Sequence, residues 1–384
     1  MTAIRILADD LTGALDTAAA FAGDIPVFID RPPAPGDDYC DAPVSVLATP
    51  TRDIPVAQLP DYLEATLAWL RSGDIAYKKV DSLLRGNTFD EIAYLLRKGE
   101  FPGAVFAPAF PAQGRYTFAD RQWVAKPGEE MTAVSKPLGE AFGALGCPIQ
   151  STPEPQDNGT IVWIPEVRDD ATLDRIATRT NEEHHRAALW CGSAGLAHAI
   201  ARQTGMAPDH QVRPPADAPS GLTALISASF QPSLYAQWEQ LKNEIPTQAL
   251  AERARHDEIV HTIELAKAGA TDARFDLSPR RDMTQEESLA LLHRNIQHIV
   301  SGLPKPRQLM IVGGDTLLDI CRTTGAQALL ASASIRPGWG QATLAGGCWD
   351  GVCCHSRSGA FGPPDDLVQM MRRLTDRIDT TKGK

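Results

Sequence analysis

The sequence lacks any apolar run of the roughly 18 residues that a membrane-spanning helix requires. It also lacks an excess of positive charge, since its 384 residues carry a formal net charge of -11. Proteins that bind nucleic acid usually present basic faces to the phosphate backbone, so this composition argues against that class. The first ten residues, MTAIRILADD, show no apolar stretch or cleavage site typical of a signal peptide. These absences predict a cytoplasmic protein with neither membrane nor nucleic-acid partners.

Paired cysteines and several well-known catalytic motifs are also missing. The seven cysteines are an odd number, and the cluster of Cys348, Cys353 and Cys354 contains no CxxC pair, so a buried strand is favoured over a metal site. There is no Walker A sequence, no GxGxxG with an acidic partner, and neither HExxH nor GxSxG. The chain is therefore neither a P-loop kinase nor an obvious dehydrogenase.

Short apolar runs alternate with helix-period segments along nearly the whole chain. Ile4 to Ala8 is typical of a buried strand, and Gly13 to Ala22 of a helix rich in small residues. In the second half, the pattern predicts a strand from Gln308 to Val312 and one helix from Thr316 to Leu330. Such alternation indicates parallel sheets with helices on both faces. Further strands are predicted at Val44 to Ala48, Ile75 to Val80, Ala104 to Pro108, Ile161 to Ile164, Ala187 to Cys191 and Thr223 to Ala228.

The length of the chain exceeds what one hydrophobic core usually serves, so two domains are expected. The proline-rich segment at residues 207–221 is the best candidate for a linker. We therefore predict an N-terminal domain at 1–206, a C-terminal domain at 222–376 and a polar tail at 377–384. The expected fold class is α/β, with two domains of mainly parallel sheets and an active site in the cleft between them.

The first candidate site is the segment ADDLTGA at residues 8–14. It lies where the first strand ends and a helix begins, at the sheet edge where α/β proteins bind ligands. Asp9 and Asp10 can accept hydrogen bonds from sugar hydroxyls there, and one of them can take a proton. Helix capping is the alternative, because Asp, Thr and Gly all suit helix starts.

The second candidate is the motif KKVDSLLRGN, which begins at Lys78. Strand alternation places Lys79 and Asp81 on one face and Lys78 on the other. Arg85 can bind a carboxylate through two parallel hydrogen bonds, and Arg52, which follows another strand, can supply a second carboxylate contact at the same edge. A solvated charged loop is the alternative, but lysine in a buried strand needs an anionic partner.

The second half of the chain carries a glycine turn. Gly313 and Gly314 follow an apolar strand and open a helix, so the backbone can approach a phosphate whose charge meets free N–H groups. Asp315 can hold Mg2+ directly or through water. Ser229 and the glycine-bearing loop at residues 356–362 offer further nucleotide contacts. Without these neighbours, GGDT is equally typical of a tight strand-to-helix turn.

Together these motifs resemble those of the four-carbon acid sugar kinases, once known only as a domain of unknown function. The segments ADDLTGA, KKVDSLLRGN, PAFPAQGR, VGGDT and SGAFG occur in that family's order across nearly the whole chain. The resemblance implies a two-domain kinase that uses ATP to phosphorylate threonate, erythronate or their 3-oxo relatives. It assigns acid-sugar contacts in the N-terminal domain to Asp9, Asp10, Arg52, Lys79, Asp81, Ser82, Leu83, Leu84 and Arg85. It assigns nucleotide contacts in the C-terminal domain to Ser229, Gly313, Gly314, Asp315, Thr316 and Gly359.

Phosphoryl transfer depends on positioning and charge neutralisation. We therefore expect Asp10 to orient or deprotonate the attacking hydroxyl, with Asp9 and Asp81 as alternatives, and Mg2+ to lie near Asp315. A homodimer is plausible on general grounds. Two other functions stay open. A catalytically weak binding protein is suggested because Ala228 and Arg357 stand where the family often has Gly and Lys, and an aspartate-based phosphatase by the early aspartates.

Overall fold

The structure, a computed structural model, describes residues 2–125, 129–150, 160–208, 221–229, 231–280, 282–332, 339–359 and 362–375. The chain divides into two compact units, Met1–His210 and Gln211–Lys384. Of the predicted linker, residues 209–220 lie outside the described residues, and so does the predicted polar tail. No helix within these described ranges is long and apolar enough to cross a membrane.

The first unit is built on a parallel sheet with the strand order β2-β3-β1-β4-β11-β5-β10-β9. A small antiparallel sheet, β6-β7-β8, is formed by the segment between β5 and β9. The strands of this unit are β1 (Ile4–Ala8), β2 (Ile25–Ile29), β3 (Val44–Ala48), β4 (Ile75–Lys79), β5 (Ala104–Ala107), β6 (Arg115–Phe118), β7 (Arg121–Val124), β8 (Thr132–Ala133), β9 (Ile149–Gln150), β10 (Val162–Trp163) and β11 (Leu189–Gly192).

The central strands of this sheet are buried along their whole length, because helices cover the parallel sheet. The helices of the first unit are α1 (Leu11–Ala18), α2 (Leu59–Leu63), α3 (Leu67–Arg71), α4 (Thr88–Lys98), α5 (Leu138–Gly143), α6 (Asp170–Ala177), α7 (Glu183–Arg186) and α8 (Ala194–Gln203). Short 3-10 helices occur at Val56–Gln58, Glu64–Thr66, Pro111–Gln113 and Thr178–Asn181.

The second unit has a sheet with the order β13-β14-β12-β15-β18-β17-β16. The first five strands run parallel, and β17 is antiparallel to both of its neighbours. Its strands are β12 (Thr223–Ser227), β13 (Leu250–Ala251), β14 (Asp272–Asp276), β15 (Gln308–Val312), β16 (Ala328–Ser332), β17 (Gly340–Ala345) and β18 (Cys353–Arg357). Its helices are α9 (Pro232–Glu244), α10 (His256–Lys267), α11 (Gln285–Gly302), α12 (Gly314–Thr324) and α13 (Asp366–Thr375).

The predicted α/β class with mainly parallel sheets is confirmed. The prediction of one helix from Thr316 to Leu330 is wrong, because α12 ends at Thr324 and Ala328–Ser332 is a strand. Gly325 explains the break: its φ of 75° is left-handed, a conformation that ends helices and that glycine adopts without steric cost.

Candidate active site

Three polar segments leave the sheet of the first unit at the same edge. Ala8, the last residue of β1, is in register with Ala48 of β3 and with Lys79 of β4. Because these strands are parallel, the residues that follow each of them emerge side by side. The register thus brings together the three sequence motifs that contain Asp9, Arg52 and Asp81.

A two-pronged ion pair joins Asp9 to Arg52. Arg52 donates from Nε to Asp9 Oδ2 over 2.8 Å and from Nη2 to Asp9 Oδ1 over 3.0 Å. Burial would by itself raise the pKa of Asp9, but the charges of Lys78 and Arg52 outweigh it and hold that pKa below its usual value. Asp9 is 2% exposed, so its carboxylate is a fixed negative charge within the site.

Asp10 is the N-cap residue of α1. Its Oδ1 accepts a hydrogen bond from the backbone N–H of Gly13 over 3.0 Å, the role foreseen in the capping alternative. The same oxygen accepts a hydrogen bond from Arg52 Nη2 over 2.7 Å, so the cap is also part of the charged cluster. One carboxylate therefore fixes the helix start and the Arg52 guanidinium at once.

The adjacent lysines have different surroundings. Lys78 is fully buried and pairs with Glu91 of α4, its Nζ lying 2.8 Å from Glu91 Oε2. Lys79 is 6% exposed, and its ammonium makes no hydrogen bond or ion pair with any residue in the described part of the chain. A methyl group on Gly13 would lie 2.7 Å from Lys79 Nζ and 2.5 Å from Asp10 Oδ1, so the glycine leaves room for both groups beside α1.

The loop after β4 folds around Asp81. Arg85 donates from Nε to Asp81 Oδ2 over 2.9 Å and from Nη2 to Oδ1 over 2.7 Å, and the backbone N–H of Leu83 also donates to Oδ2. Burial opposes ionisation, but these bonds and the Arg85 charge prevail and lower the pKa of Asp81 to about 2. Leu84 has a left-handed φ of 57°, and the Ser82 carbonyl accepts a hydrogen bond from Gln122 Nε2 over 2.8 Å.

Sequence reasoning missed the residues that tie these loops together. Asn87 donates from Nδ2 to the carbonyls of Thr51 and Ile54, both over 2.8 Å. A methyl group on Gly86 would lie 2.5 Å from the Arg52 carbonyl oxygen, so the two loops touch backbone to backbone. Gly86 and Asn87 stand within the quoted motif, but nothing local in the sequence indicates which segment they contact.

In the second unit, four parallel strands end together. Ser227 of β12 is in register with Asp276 of β14 and Val312 of β15, and Val312 is in register with Arg357 of β18. The residues that follow these strands therefore emerge at one edge. They include Ser229, Gly313 and Gly359, three of the predicted nucleotide contacts.

The glycine turn of this edge is an uncapped helix start. Gly313 is the N-cap of α12 with a φ of 116°, and it supplies no side-chain hydrogen bond to the first turn. Its own N–H donates to the Arg357 carbonyl over 2.9 Å. Asp315 is exposed in the first turn, whereas Thr316 is 1% exposed. The first-turn amides of Gly314 and its neighbours suit an anion, because the helix dipole favours negative charge there.

The loops carrying Ser229 and Gly359 are in direct contact. A methyl group on Gly359 would overlap the Ser229 hydroxyl, and Ser233 Oγ lies 3.4 Å from the Gly359 carbonyl oxygen. Nothing larger than glycine fits at residue 359 without displacing Ser229. Residues 360 and 361 of the quoted SGAFG motif lie outside the described residues.

Arg357, the last residue of β18, has a side chain that is 2% exposed. Its guanidinium contacts Gln237 and lies 3.0 Å from Asp366 Oδ2 and 5.0 Å from the centre of the Trp339 ring. The arginine thus joins β18 to helices α9 and α13 inside the second unit.

The described residues contain no group of three or more His, Cys, Asp or Glu side chains placed to hold a metal ion. Asp315 alone fits an ion that takes its other ligands from phosphate oxygens and water, which is how Mg2+ commonly binds in enzymes acting on phosphates.

Comparison with known proteins shows which proteins this chain resembles in sequence. Residues 4–141 match the model of a sugar-binding N-terminal domain. The chain is 26% identical to a D-threonate kinase of Bordetella bronchiseptica, with 97% of this chain and 98% of the relative covered. A D-threonate kinase of Cupriavidus necator is also 26% identical, with 87% and 88% covered. The chain is thus similar along nearly its whole length to two kinases named for D-threonate, and its N-terminal part matches a sugar-binding domain.

Two solved structures share the fold of this chain. A Haemophilus influenzae protein of the DUF1537 family superimposes with a TM-score of 0.71 at 16% identity, covering 96% of this chain and 100% of the other. A Salmonella typhimurium protein gives a TM-score of 0.72 at 18% identity, covering 97% and 100%. The kinase-named relatives, rather than these folds, support a kinase acting on a sugar acid.

Proposed function

We propose that the protein uses ATP to phosphorylate a hydroxyl group of a four-carbon acid sugar of the threonate, erythronate or 3-oxo-tetronate type. The observation that carries this proposal is the Lys79 ammonium, 6% exposed and without an ion pair in the described chain. Because no carboxylate of the described chain forms a close ion pair with this nearly buried ammonium, a bound carboxylate would stabilise it further. The similarity to two D-threonate kinases supports a sugar acid as the source of that carboxylate.

The other residues of this edge would bind the hydroxyl groups. Asp10 takes both of its hydrogen bonds through Oδ1, which leaves Oδ2 to orient the attacking hydroxyl. Arg52 and Arg85 use Nε and Nη2 for their aspartates, and each keeps Nη1 for the acid. The loop at residues 82–84 would form the wall of the pocket.

The second unit would hold the nucleotide. The uncapped turn at Gly313 and Gly314 and the amide of Thr316 suit the phosphates, with Ser229 and Gly359 forming the neighbouring wall. Mg2+, with Asp315 as its protein ligand, would neutralise phosphate charge when bound.

The geometry disfavours Asp9 as the nucleophile of the phosphatase alternative. A nucleophilic aspartate must present a free oxygen to the phosphorus atom. Both oxygens of Asp9 accept hydrogen bonds from Arg52, and Asp9 is 2% exposed.

The proposal is tested by measuring ADP release from ATP in a coupled assay against threonate, erythronate and 3-oxo-tetronate isomers. Threitol, which has the hydroxyls of threonate but no carboxylate, is the matched control substrate. We expect turnover with at least one acid and a catalytic efficiency that is lower by about 10- to 150-fold with threitol, since a charge-assisted contact contributes about 1.5–3 kcal/mol. The proposal would be overturned if threitol were turned over as fast as the best acid. It would also be overturned if the protein turned over none of the acids.

A further inference from the structure

Asp16 is a fourth aspartate near the proposed acid site, after Asp9, Asp10 and Asp81, and no motif singled it out. It is the only charged residue of α1, whose sequence is LTGALDTA. Six residues of this helix are buried, whereas Asp16 is exposed. It lies one helical turn beyond Thr12 and Gly13, on the stretch of α1 next to the Lys79 ammonium and the Asp10 carboxylate.

The Asp16 carboxylate has no hydrogen bond or ion pair with any residue that the structure describes. Although its side chain is accessible, the protein around it weakens its hydration and raises its pKa. The nearby Lys79 charge lowers that pKa and the Asp10 charge raises it again. The net direction is upward, which makes Asp16 a better proton acceptor than an ordinary surface aspartate.

The other carboxylates near the site already take part in hydrogen bonds or ion pairs within the protein. Asp9 and Asp81 each use both oxygens to accept hydrogen bonds from an arginine, and Glu91 is fully buried in an ion pair. Protonation of Asp10 would weaken its ion pair and the cap of α1. Protonation of Asp16 breaks no contact in the described chain.

We propose that Asp16 is the general base of the kinase reaction, an inference that rests on the proposed function. The acid's hydroxyl group gives its proton to an Asp16 carboxylate oxygen as its oxygen bonds to the γ-phosphorus of the nucleoside triphosphate. The bond between that phosphorus and the β,γ-bridging oxygen breaks, and the diphosphate leaves with the electron pair. Asp10 orients the hydroxyl, and Lys79 holds the acid's carboxylate.

The helices and strands packed against α1 carry few other titratable side chains that could affect the protonation of Asp16. Strands β2 and β3 carry no titratable side chain, and Arg202 of α8 pairs with Asp174. Besides Lys79 of β4, the titratable side chains on those elements are Arg5 of β1, Tyr77 and Lys78 of β4, and His198 of α8.

Asp16→Asn tests the assignment. We expect kcat to fall by about 100- to 10,000-fold, the range typical of losing a general base, while the dissociation constant of the acid changes less than about threefold. In the wild-type protein kcat should rise with pH through the Asp16 pKa, because only the carboxylate form accepts the proton. This acidic limb should disappear in Asp16→Asn and return, shifted, in Asp16→Glu.

The matched control is Asp24→Asn, an exposed aspartate in the turn after α1, which should leave kcat unchanged. A kcat in Asp16→Asn within about threefold of wild type, or an unchanged acidic limb, overturns the inference while the kinase proposal stands. A tenfold or greater loss of acid binding in Asp16→Asn also overturns it, because the residue would then act in binding. Wild-type protein without activity on any four-carbon acid overturns both proposals.

Discussion

Helices α1 and α12 both begin where a central parallel strand ends, but they begin differently. The start of α1 is capped by a side chain of the protein itself. The Asp10 carboxylate accepts a hydrogen bond from the first turn, and Arg52 pairs with that carboxylate. At the start of α12, Gly313 has no side chain that could cap the first turn. An aspartate-capped start repels anions and binds cations or hydroxyl groups, whereas an open start attracts phosphate. The same strand-to-helix turn could therefore bind either reactant of the proposed phosphoryl transfer.

The largest expected effect is a loss of unfolding free energy on substitution of Lys78, the neighbour of the proposed anion-binding residue Lys79. Lys78→Met leaves Glu91 buried without its partner, which typically costs about 3–5 kcal/mol of unfolding free energy. Lys79→Met removes a nearly buried charge that makes no ion pair in the described chain, so its unfolding free energy should not fall. Urea denaturation of the two variants measures the contrast. Equal losses would contradict the distinction between a structural lysine and a binding lysine.

The same Lys79→Met variant should bind the acid sugar about 10- to 100-fold more weakly, because one charge-assisted contact is lost. Isothermal titration measures this change, and ATP affinity measured alongside should stay the same. Arg71→Met, at an exposed ion pair of the same unit, is the control and should alter neither affinity. Unaltered acid affinity in Lys79→Met would remove Lys79 from the site.

At the start of α12, Gly313→Ala should weaken ATP binding about tenfold. The φ of 116° strains any residue with a side chain by about 1–2 kcal/mol, and the added methyl would lie 3.1 Å from Thr316 Oγ1. Gly325→Ala at the other end of α12 is the control, because it is strained at a φ of 75° but lies away from the turn. Both variants should lose similar stability, and only Gly313→Ala should lose nucleotide affinity. Equal nucleotide affinity in both would argue that the turn does not bind phosphate.

The smallest expected effect is a pH dependence of stability that comes from the ion pair between Asp81 and Arg85. The pKa of Asp81 is lowered to about 2, below its unfolded value of about 3.9. Its contribution to stability is therefore present above the unfolded pKa and is lost as the pH falls from about 4 to 2. Because Arg85 is 65% exposed, we expect a contribution of only about 1 kcal/mol. Asp81→Asn should flatten the stability profile over this interval, and an unchanged acid slope would contradict the assignment.

The sequence predicts the fold well because buried parallel strands leave strong local patterns. Strands Ile4–Ala8, Val44–Ala48 and Gln308–Val312 have the predicted bounds. The predicted helix over Thr316 to Leu330 fails because its periodicity continues past Gly325, whose backbone ends α12. Apolar spacing alone does not reveal that break.

The sequence also predicts which motifs meet at each sheet edge, since strand ends carry that information. It does not predict which charges pair. Besides the substrate contacts that we propose for them, Arg52 and Arg85 pair with Asp9 and Asp81, which the sequence did not indicate. Such pairs depend on the register between strands distant in sequence. Asp16 carries no signal by itself, because a single aspartate on an exposed helix surface is ordinary.

The central claim is that a phosphoryl group passes from ATP to a hydroxyl of a carboxylate-bearing four-carbon sugar. It is tested most directly by 31P NMR of the wild-type protein incubated with ATP, Mg2+ and each acid in turn. The account predicts that for at least one acid a phosphate-ester resonance grows in equal amount to ADP. Release of ADP with inorganic phosphate alone, or no consumption of ATP with any of the acids, would contradict it.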